Sequence, residues 1–266
     1  EPHFHRYYQD RIWLVEFDRQ KTLPFFSQTT SGSVMIERHL SESKEFFWGL
    51  KLQSLHSQSV EGHHIYSLIK VPTCAKLSSA ENLADPEKGL ATTIRLTPSW
   101  QSFHPQFFYL NHTTSLIAYY PILRHKFTLA VKGTLGNIIG ASEHTIPMPD
   151  RFFAGSENNL RGYRYLSVAP LNKNHKPIGG RSLLTGSLEA RLRTESGLGW
   201  VLFYDVGRVY SSNFPNLDLK FLQSVGIGVR YSTPIGPLRL DIGLPLHRRK
   251  KIDSPFQIYF SIGQAF

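Results

Sequence analysis

Cysteine is almost missing from this chain. Cys74 stands alone among 266 residues, so no internal disulfide forms, and no Cys and His are spaced as zinc ligands. Long apolar runs are missing as well. No stretch approaches the ~18 consecutive apolar residues a spanning helix needs, and the best run, around Leu116 to Leu123, contains Pro121; a helical membrane protein is excluded. Acidic residues are in deficit, 20 against 30 Lys and Arg, for a net charge of +10. The basic residues are spread through most segments instead of forming a stripe, so the charge gives no support to nucleic acid as a partner. The opening at Glu1 has no Met, basic n-region or apolar h-region. We therefore expect a targeting signal already removed or a sequence that starts inside a gene.

Catalytic signatures are also lacking. No G-x-S-x-G elbow or supported carboxylate pair occurs, and Gly226-x-Gly228 has no third glycine opening a helix. Of the 12 histidines, His3-x-His5 and His63-His64 are the nearest to clusters, and neither lies at metal spacing with carboxylates. The expectation is a non-enzyme with no metal and no cofactor.

What is present is ring-rich and alternating. The hydrophobic fraction is 41%, yet aromatics reach 13%, so much of the apolar mass is in rings. From Leu238 to Leu244 the even positions are Leu or Ile242, and the odd ones are Arg239, Asp241 and Gly243. From Leu184 to Arg193, Leu184, Leu188, Ala190 and Leu192 oppose Thr185, Ser187, Glu189, Arg191 and Arg193. The stretches Ser224 to Ser232 and Phe256 to Phe266 repeat the pattern. Period two is the mark of strands.

A soluble sandwich alternates too, but Gly, Ser, Arg, Asp and Glu dominate the polar face here. That suits an inverted barrel, with lipid outside and a hydrated, charge-paired lumen; closure leaves no backbone edge unsatisfied in hydrocarbon. Less regular segments run over Arg11 to Asp18, Val34 to His39, Phe46 to His56, His64 to Val71, Leu90 to Pro98, Phe107 to Tyr120, Lys126 to Gly136 and Trp200 to Val209. The total is about twelve strands, each near the ~9–11 residues of a tilted spanning strand. The fold class is all-β, an antiparallel transmembrane β-barrel. Turn-rich links such as 84–89 and 232–237 are hairpin connections. One connection differs: over 137–180 the alternation lapses for about forty residues, beyond the ordinary loop of ~12–15.

Inside that loop stands the run Pro147-Met148-Pro149-Asp150-Arg151-Phe152-Phe153-Ala154-Gly155, then Leu160-Arg161-Gly162-Tyr163. Further on come Phe203-Tyr204-Asp205-Val206-Gly207, Gly226-Ile227-Gly228-Val229-Arg230-Tyr231, Gly236-Pro237-Leu238-Arg239-Leu240-Asp241 and the terminal Gly263-Gln264-Ala265-Phe266. In this order they resemble the bacterial surface antigen superfamily of outer-membrane assembly and translocation barrels. These are BamA- and TamA-like proteins, and the wording is nearest the TamA-like branch. The family's sixth extracellular loop carries V-R-G-F/Y, with Leu160 here in place of Val, and Asp85-Pro86-Glu87-Lys88-Gly89 looks like its Asn-Pro-Thr-Arg-Gly turn.

The resemblance implies a sixteen-stranded barrel of which residues 1–266 are the C-terminal part, with the first strands and the POTRA domains absent. It implies that Leu160, Arg161, Gly162 and Tyr163 fold back into the lumen. Arg161 would there meet Asp205, on the same wall parity as Gly207, with Glu189 as a second acceptor, because a guanidinium away from bulk water needs a carboxylate. It also implies a C-terminal strand signal at Phe260, Ile262, Gly263 and Phe266. Taken without the resemblance, Arg161 reads as a solvated surface-loop arginine and Phe266 as the interfacial aromatic of an ordinary closing strand.

The expected function is assistance to the insertion or translocation of other proteins at the bacterial outer membrane. Partners would be outer-membrane lipid, client outer-membrane or secreted polypeptides and a periplasm-spanning protein. The alternatives are a two-partner-type secretion channel or passive pore, or a barrel-anchored surface antigen, which exposure of Asn172 to Lys176 would favour.

Overall fold

Successive side chains of a strand point to opposite faces, so a single register can offer lipid an apolar face and the interior a polar one. The computed structural model describes residues 8–41, 43–80, 86–123, 126–231, 233 and 237–262. Among them thirteen strands form one antiparallel sheet. They are β1 (Tyr8–Lys21), β2 (Phe25–Ser41), β3 (Lys44–Ser59), β4 (Gly62–Lys70), β5 (Thr73–Ser78), β6 (Gly89–Gln101) and β7 (Phe107–Leu123), followed by β8 (Phe127–Ile139), β9 (Ser182–Arg193), β10 (Leu198–Tyr210), β11 (Leu222–Tyr231), β12 (Leu238–Pro245) and β13 (Gln257–Ile262). Each strand lies beside its neighbours in the chain, save that β4 and β5 share one place between β3 and β6. Twelve positions across the sheet result, as the alternation predicts.

Two differences from the sequence reading have clear causes. The segment expected over His64 to Val71 stops near the end of β4, but its track resumes as β5 beyond Val71-Pro72. Pro72 and Pro98 lie in the interrupted stretch. The Val71 N–H donates to the Pro98 carbonyl at 3.0 Å and the Gly49 N–H to that of Pro72 at 3.1 Å, so the break costs few backbone bonds. The second difference is length: β2 runs Phe25–Ser41, where only Val34 to His39 was expected. Its outward Gln28, Thr30 and Gly32 are exposed and polar, as are Ser54 and His56 on β3. The pleat continues where the apolar alternation has ended.

The direction of the two faces is unambiguous. Leu188, Leu192, Trp200, Leu202, Ile227, Leu240, Ile242 and Phe260 are exposed, whereas their sequence neighbours Glu189, Arg191, Val201, Arg239 and Asp241 are buried. Apolar side chains face out, and charge faces in. The three longest connections, 140–181, 211–221 and 246–256, all leave one end of the sheet; in outer-membrane barrels the longer loops are extracellular. β1 exposes both its faces, including Ile12, Trp13, Leu14, Val15 and Phe17. Among the described residues no pairing joins β1 to β13.

The loop 140–181 enters the concave side of the sheet and supplies its core. Ala141 and Ile146 pack with Leu55, Tyr66, Leu68, Tyr109 and Ile138. Ala154, Leu160, Tyr163 and Val168 pack with Leu183 and Val209. Apolar burial therefore happens between loop and wall, at the extracellular end.

Candidate functional site in the lumen loop

The loop tip is fixed by charge. Arg161 is 1% exposed and grips Asp205 with both arms of its fork, Nε to Oδ2 at 2.8 Å and Nη2 to Oδ1 at 2.8 Å. Its backbone N–H donates to the same carboxylate at 2.9 Å. Its Nη1 reaches Glu189 at 2.5 Å and Asp241 at 3.3 Å. The guanidinium also lies over Phe203, its Cζ 3.6 Å from the ring centroid. Only a planar, five-donor head fills all these roles together.

The acceptors are themselves shared. Arg191 donates to Glu189 at 2.8 Å, Arg230 to Asp241 at 2.5 Å and Arg239 to Asp241 at 2.7 Å. Four guanidiniums thus surround three carboxylates, all of them buried. Removing a charge from water costs several kcal/mol, and here each carboxylate recovers that through charge-assisted bonds. Strand parity places them: Glu189 and Arg191 share the inward face of β9, Asp205 is inward on β10, Arg230 on β11, and Arg239 and Asp241 on β12.

Glycines make the approach possible. Gly162 has φ +94, and a Cβ there would come within 3.1 Å of the Leu244 backbone and the Ser224 side chain. Across from it, a Cβ at Gly243 would lie 2.7 Å from the Gly162 nitrogen. Tyr259 on β13 closes the tip: its hydroxyl accepts from the Gly162 N–H at 2.9 Å and donates to the Tyr163 carbonyl at 3.1 Å. The Tyr163 hydroxyl donates to the Gln223 carbonyl at 2.9 Å.

The loop has a second anchor upstream. Asp150 takes Lys70 at 2.8 Å and the Tyr109 hydroxyl at 2.5 Å. Arg151, 5% exposed, pairs with Glu61 in the β3–β4 turn, Nη2 to Oε2 at 2.6 Å and Nη1 to Oε1 at 3.1 Å. Burial pushes the Glu61 carboxyl up, but the Arg151 hydrogen bonds and charge, helped by His144, outweigh it and hold Glu61 below its ordinary value. A carboxyl lowered on folding stabilises above its unfolded pKa, near ~4.3, and loses that contribution as the pH falls through the lowered folded value. Hydrogen exchange over 140–151, corrected for intrinsic rates, is expected to quicken between pH 6 and pH 3. In Glu61→Gln that acid-dependent increase should shrink; an undiminished increase would remove Glu61 as its source.

The structure gathers Leu160, Arg161, Gly162, Tyr163, Glu189 and Asp205 into one site. Leu160 is fully buried, at φ +41. Gly207 is inward as expected, but the nearest atoms to a Cβ there belong to Thr185 and Leu184 on β9, not to the loop. Phe260 and Ile262 point outward and are exposed; Gly263 and Phe266 lie outside the described residues. Asp241, Phe203, Tyr259 and the Asp150–Arg151 anchor were not singled out from sequence. For Asp241, its inward parity beside Arg239 was the available signal. Lys173 to Lys176 form an exposed turn, capped by the Asn172 side chain accepting from the backbone of Asn174 and Lys176 at 2.9 Å each.

A known domain covers nearly the whole of this geometry: the Omp85 superfamily domain matches residues 15–266. The chain belongs to the Omp85 superfamily. As such it is a protein of the bacterial outer membrane. Two curated proteins named outer membrane protein assembly factor BamA are similar. That of Nitratidesulfovibrio vulgaris is 30% identical over 136 residues, 49% of this chain and 17% of the relative. That of Neorickettsia risticii is 30% identical over 126 residues, 42% of this chain and 16% of the relative. The aligned parts are thus about one sixth of those proteins' lengths. Among solved structures, BamA from Haemophilus ducreyi lacking POTRA domains 1–3 shares the fold with a TM-score of 0.76 at 16% identity, over 97% of this chain and 59% of that one. CdiB from Acinetobacter baumannii matches with a TM-score of 0.59 at 13% identity, over 89% of this chain and 42% of that one.

Proposed function

We propose that this Omp85 barrel is the C-terminal part of a non-enzymatic factor that inserts or translocates other polypeptides at the outer membrane. The observation that carries the reading is the lumen loop tied by Arg161 to an Omp85 wall. A loop held this firmly serves the barrel's working shape, and the apolar strand face beside it offers lipid to incoming strands. Among the described residues β13 pairs with β12, and the last strand of a barrel, at its seam, is suited to pairing with a client strand by edge addition. Clients would be outer-membrane or secreted proteins. A periplasm-spanning partner would deliver them.

The test is reconstitution of the full-length protein in liposomes, followed by addition of a urea-unfolded outer-membrane barrel. Accelerated appearance of the heat-modifiable folded client is expected. Steady conductance with no acceleration would favour the passive pore. The exposed turn at Lys173 to Lys176 is the observation on the side of a surface antigen, but the segments flanking it are packed against the wall, which suits a plug better than a display loop.

A further inference from the structure

The extracellular mouth contains a cavity of about 490 Å³ between the lumen loop, the end of β10 and the connection 211–221. Its walls are apolar at Val168, Leu171, Leu219 and Leu222, and cationic at Arg208, which donates to the Lys220 carbonyl. Arg249 also lines it but is neutralised by the buried Asp253, at 2.8 and 2.7 Å. Tyr210 also lines it, and that side chain's hydroxyl is buried with no hydrogen-bond partner among the described residues. An unsatisfied hydroxyl normally costs stability and calls for a ligand or water. Outside the cavity, the same end of the barrel shows Phe214, Leu217 and Leu246 to solvent, next to exposed Lys220, Arg248, Lys250 and Lys251. Exposed apolar side chains interleaved with cations are costly in water, whereas they match an interface of acyl chains and anionic headgroups.

We propose that this cavity binds a phosphorylated lipid of the outer leaflet. Its phosphate would sit between Arg208 and the Tyr210 hydroxyl, with an acyl chain against Leu171, Leu219 and Leu222. The preference for a lipid over a free anion follows from the apolar walls, which a bare phosphate would leave unused. The preference for an anionic lipid follows from Arg208 and from the basic rim. The cavity shares the apolar packing of Val168 and Leu222 with the loop tip but contains none of the charges that hold Arg161, and the proposal does not depend on the insertion function.

The test uses native mass spectrometry of the full-length protein in detergent, titrated with bis-phosphorylated lipid A. A retained one-to-one adduct is expected. Arg208→Gln should weaken it about tenfold, and Tyr210→Phe about two- to tenfold, the equivalent of one hydrogen bond. Tyr210→Phe should leave the heat-modifiability of the folded barrel unchanged, because it removes no bond of the protein's own. Lipid A stripped of its phosphates should bind no better than the Arg208→Gln variant binds the intact lipid. Equal competition by inorganic phosphate would overturn the lipid in favour of a free anion. An adduct indifferent to both substitutions, or no adduct, would overturn the site.

Discussion

Arg161→Ala is expected to leave the strands intact and to release the loop tip, at a cost of about 3–5 kcal/mol, the range for removing one partner of a buried ion pair. The carboxylates do not suffer equally. Glu189 keeps Arg191, and Asp241 keeps Arg230 and Arg239. Among the described residues, Asp205 is left with the backbone N–H of residue 161 as a hydrogen-bond donor and with the more distant charge of Lys132. Fully buried, it is the carboxylate that loses most of its compensation. Arg161→Lys should recover only part of the loss, since a point charge cannot span Asp205 and Glu189 while covering Phe203. Limited trypsin digestion of the folded barrel reads the outcome through cleavage at Arg164 and Lys173. Unchanged resistance in Arg161→Ala, with full activity in the liposome assay, would sink the pin.

The second large effect is expected from Asp241→Ala. Its carboxylate is fully buried and receives Arg230 at 2.5 Å, Arg239 at 2.7 Å and Arg161 at 3.3 Å. Deleting it leaves four guanidiniums to two carboxylates in one water-poor space. The expected loss is again about 3–5 kcal/mol, seen as a lower urea midpoint for unfolding in lipid. Asp241→Asn keeps the shape and separates charge from packing. The decisive comparison is the double variant Asp241→Ala with Arg230→Ala, which removes the charge together with one of its partners. It should be less destabilised than the sum of the single changes; simple additivity would mean that the two residues do not act as a pair.

Much of the wall was legible because lipid imposes its demand residue by residue. From Leu238 to Leu244 the odd positions had to face inward once the even ones were apolar, and Arg239, Asp241 and Gly243 do so. Lumen charges such as Glu189 and Asp205 are assigned a face by the same rule. Legibility failed where the outer face stops being apolar, as along Gln28, Thr30 and Gly32 of β2, because a strand beyond the lipid band pleats without a hydrophobic signal. It failed again at Val71-Pro72, where prolines read as an ending although the flanking strands carry the track onward. The resemblance named Arg161, Asp205 and, as a second acceptor, Glu189. It did not reveal the relay of acceptors, since a shared carboxylate is a property of distances between strands.

The sequence by itself determined that this chain lines a membrane with strands, which side of each strand meets lipid and, through its resemblance to a family, that one long loop carries a charge needing burial partners. These follow from period two and from the cost of an unpaired ion, both local. Only the tertiary structure decided that Arg161 is held by Asp205, Glu189 and Asp241 together, that Tyr259 on the last described strand clamps Gly162, and that Asp150 and Arg151 form a separate anchor. Those contacts join residues from 28 to 97 positions apart. Their existence depends on how far the sheet curls round the loop, and no local pattern encodes that curvature.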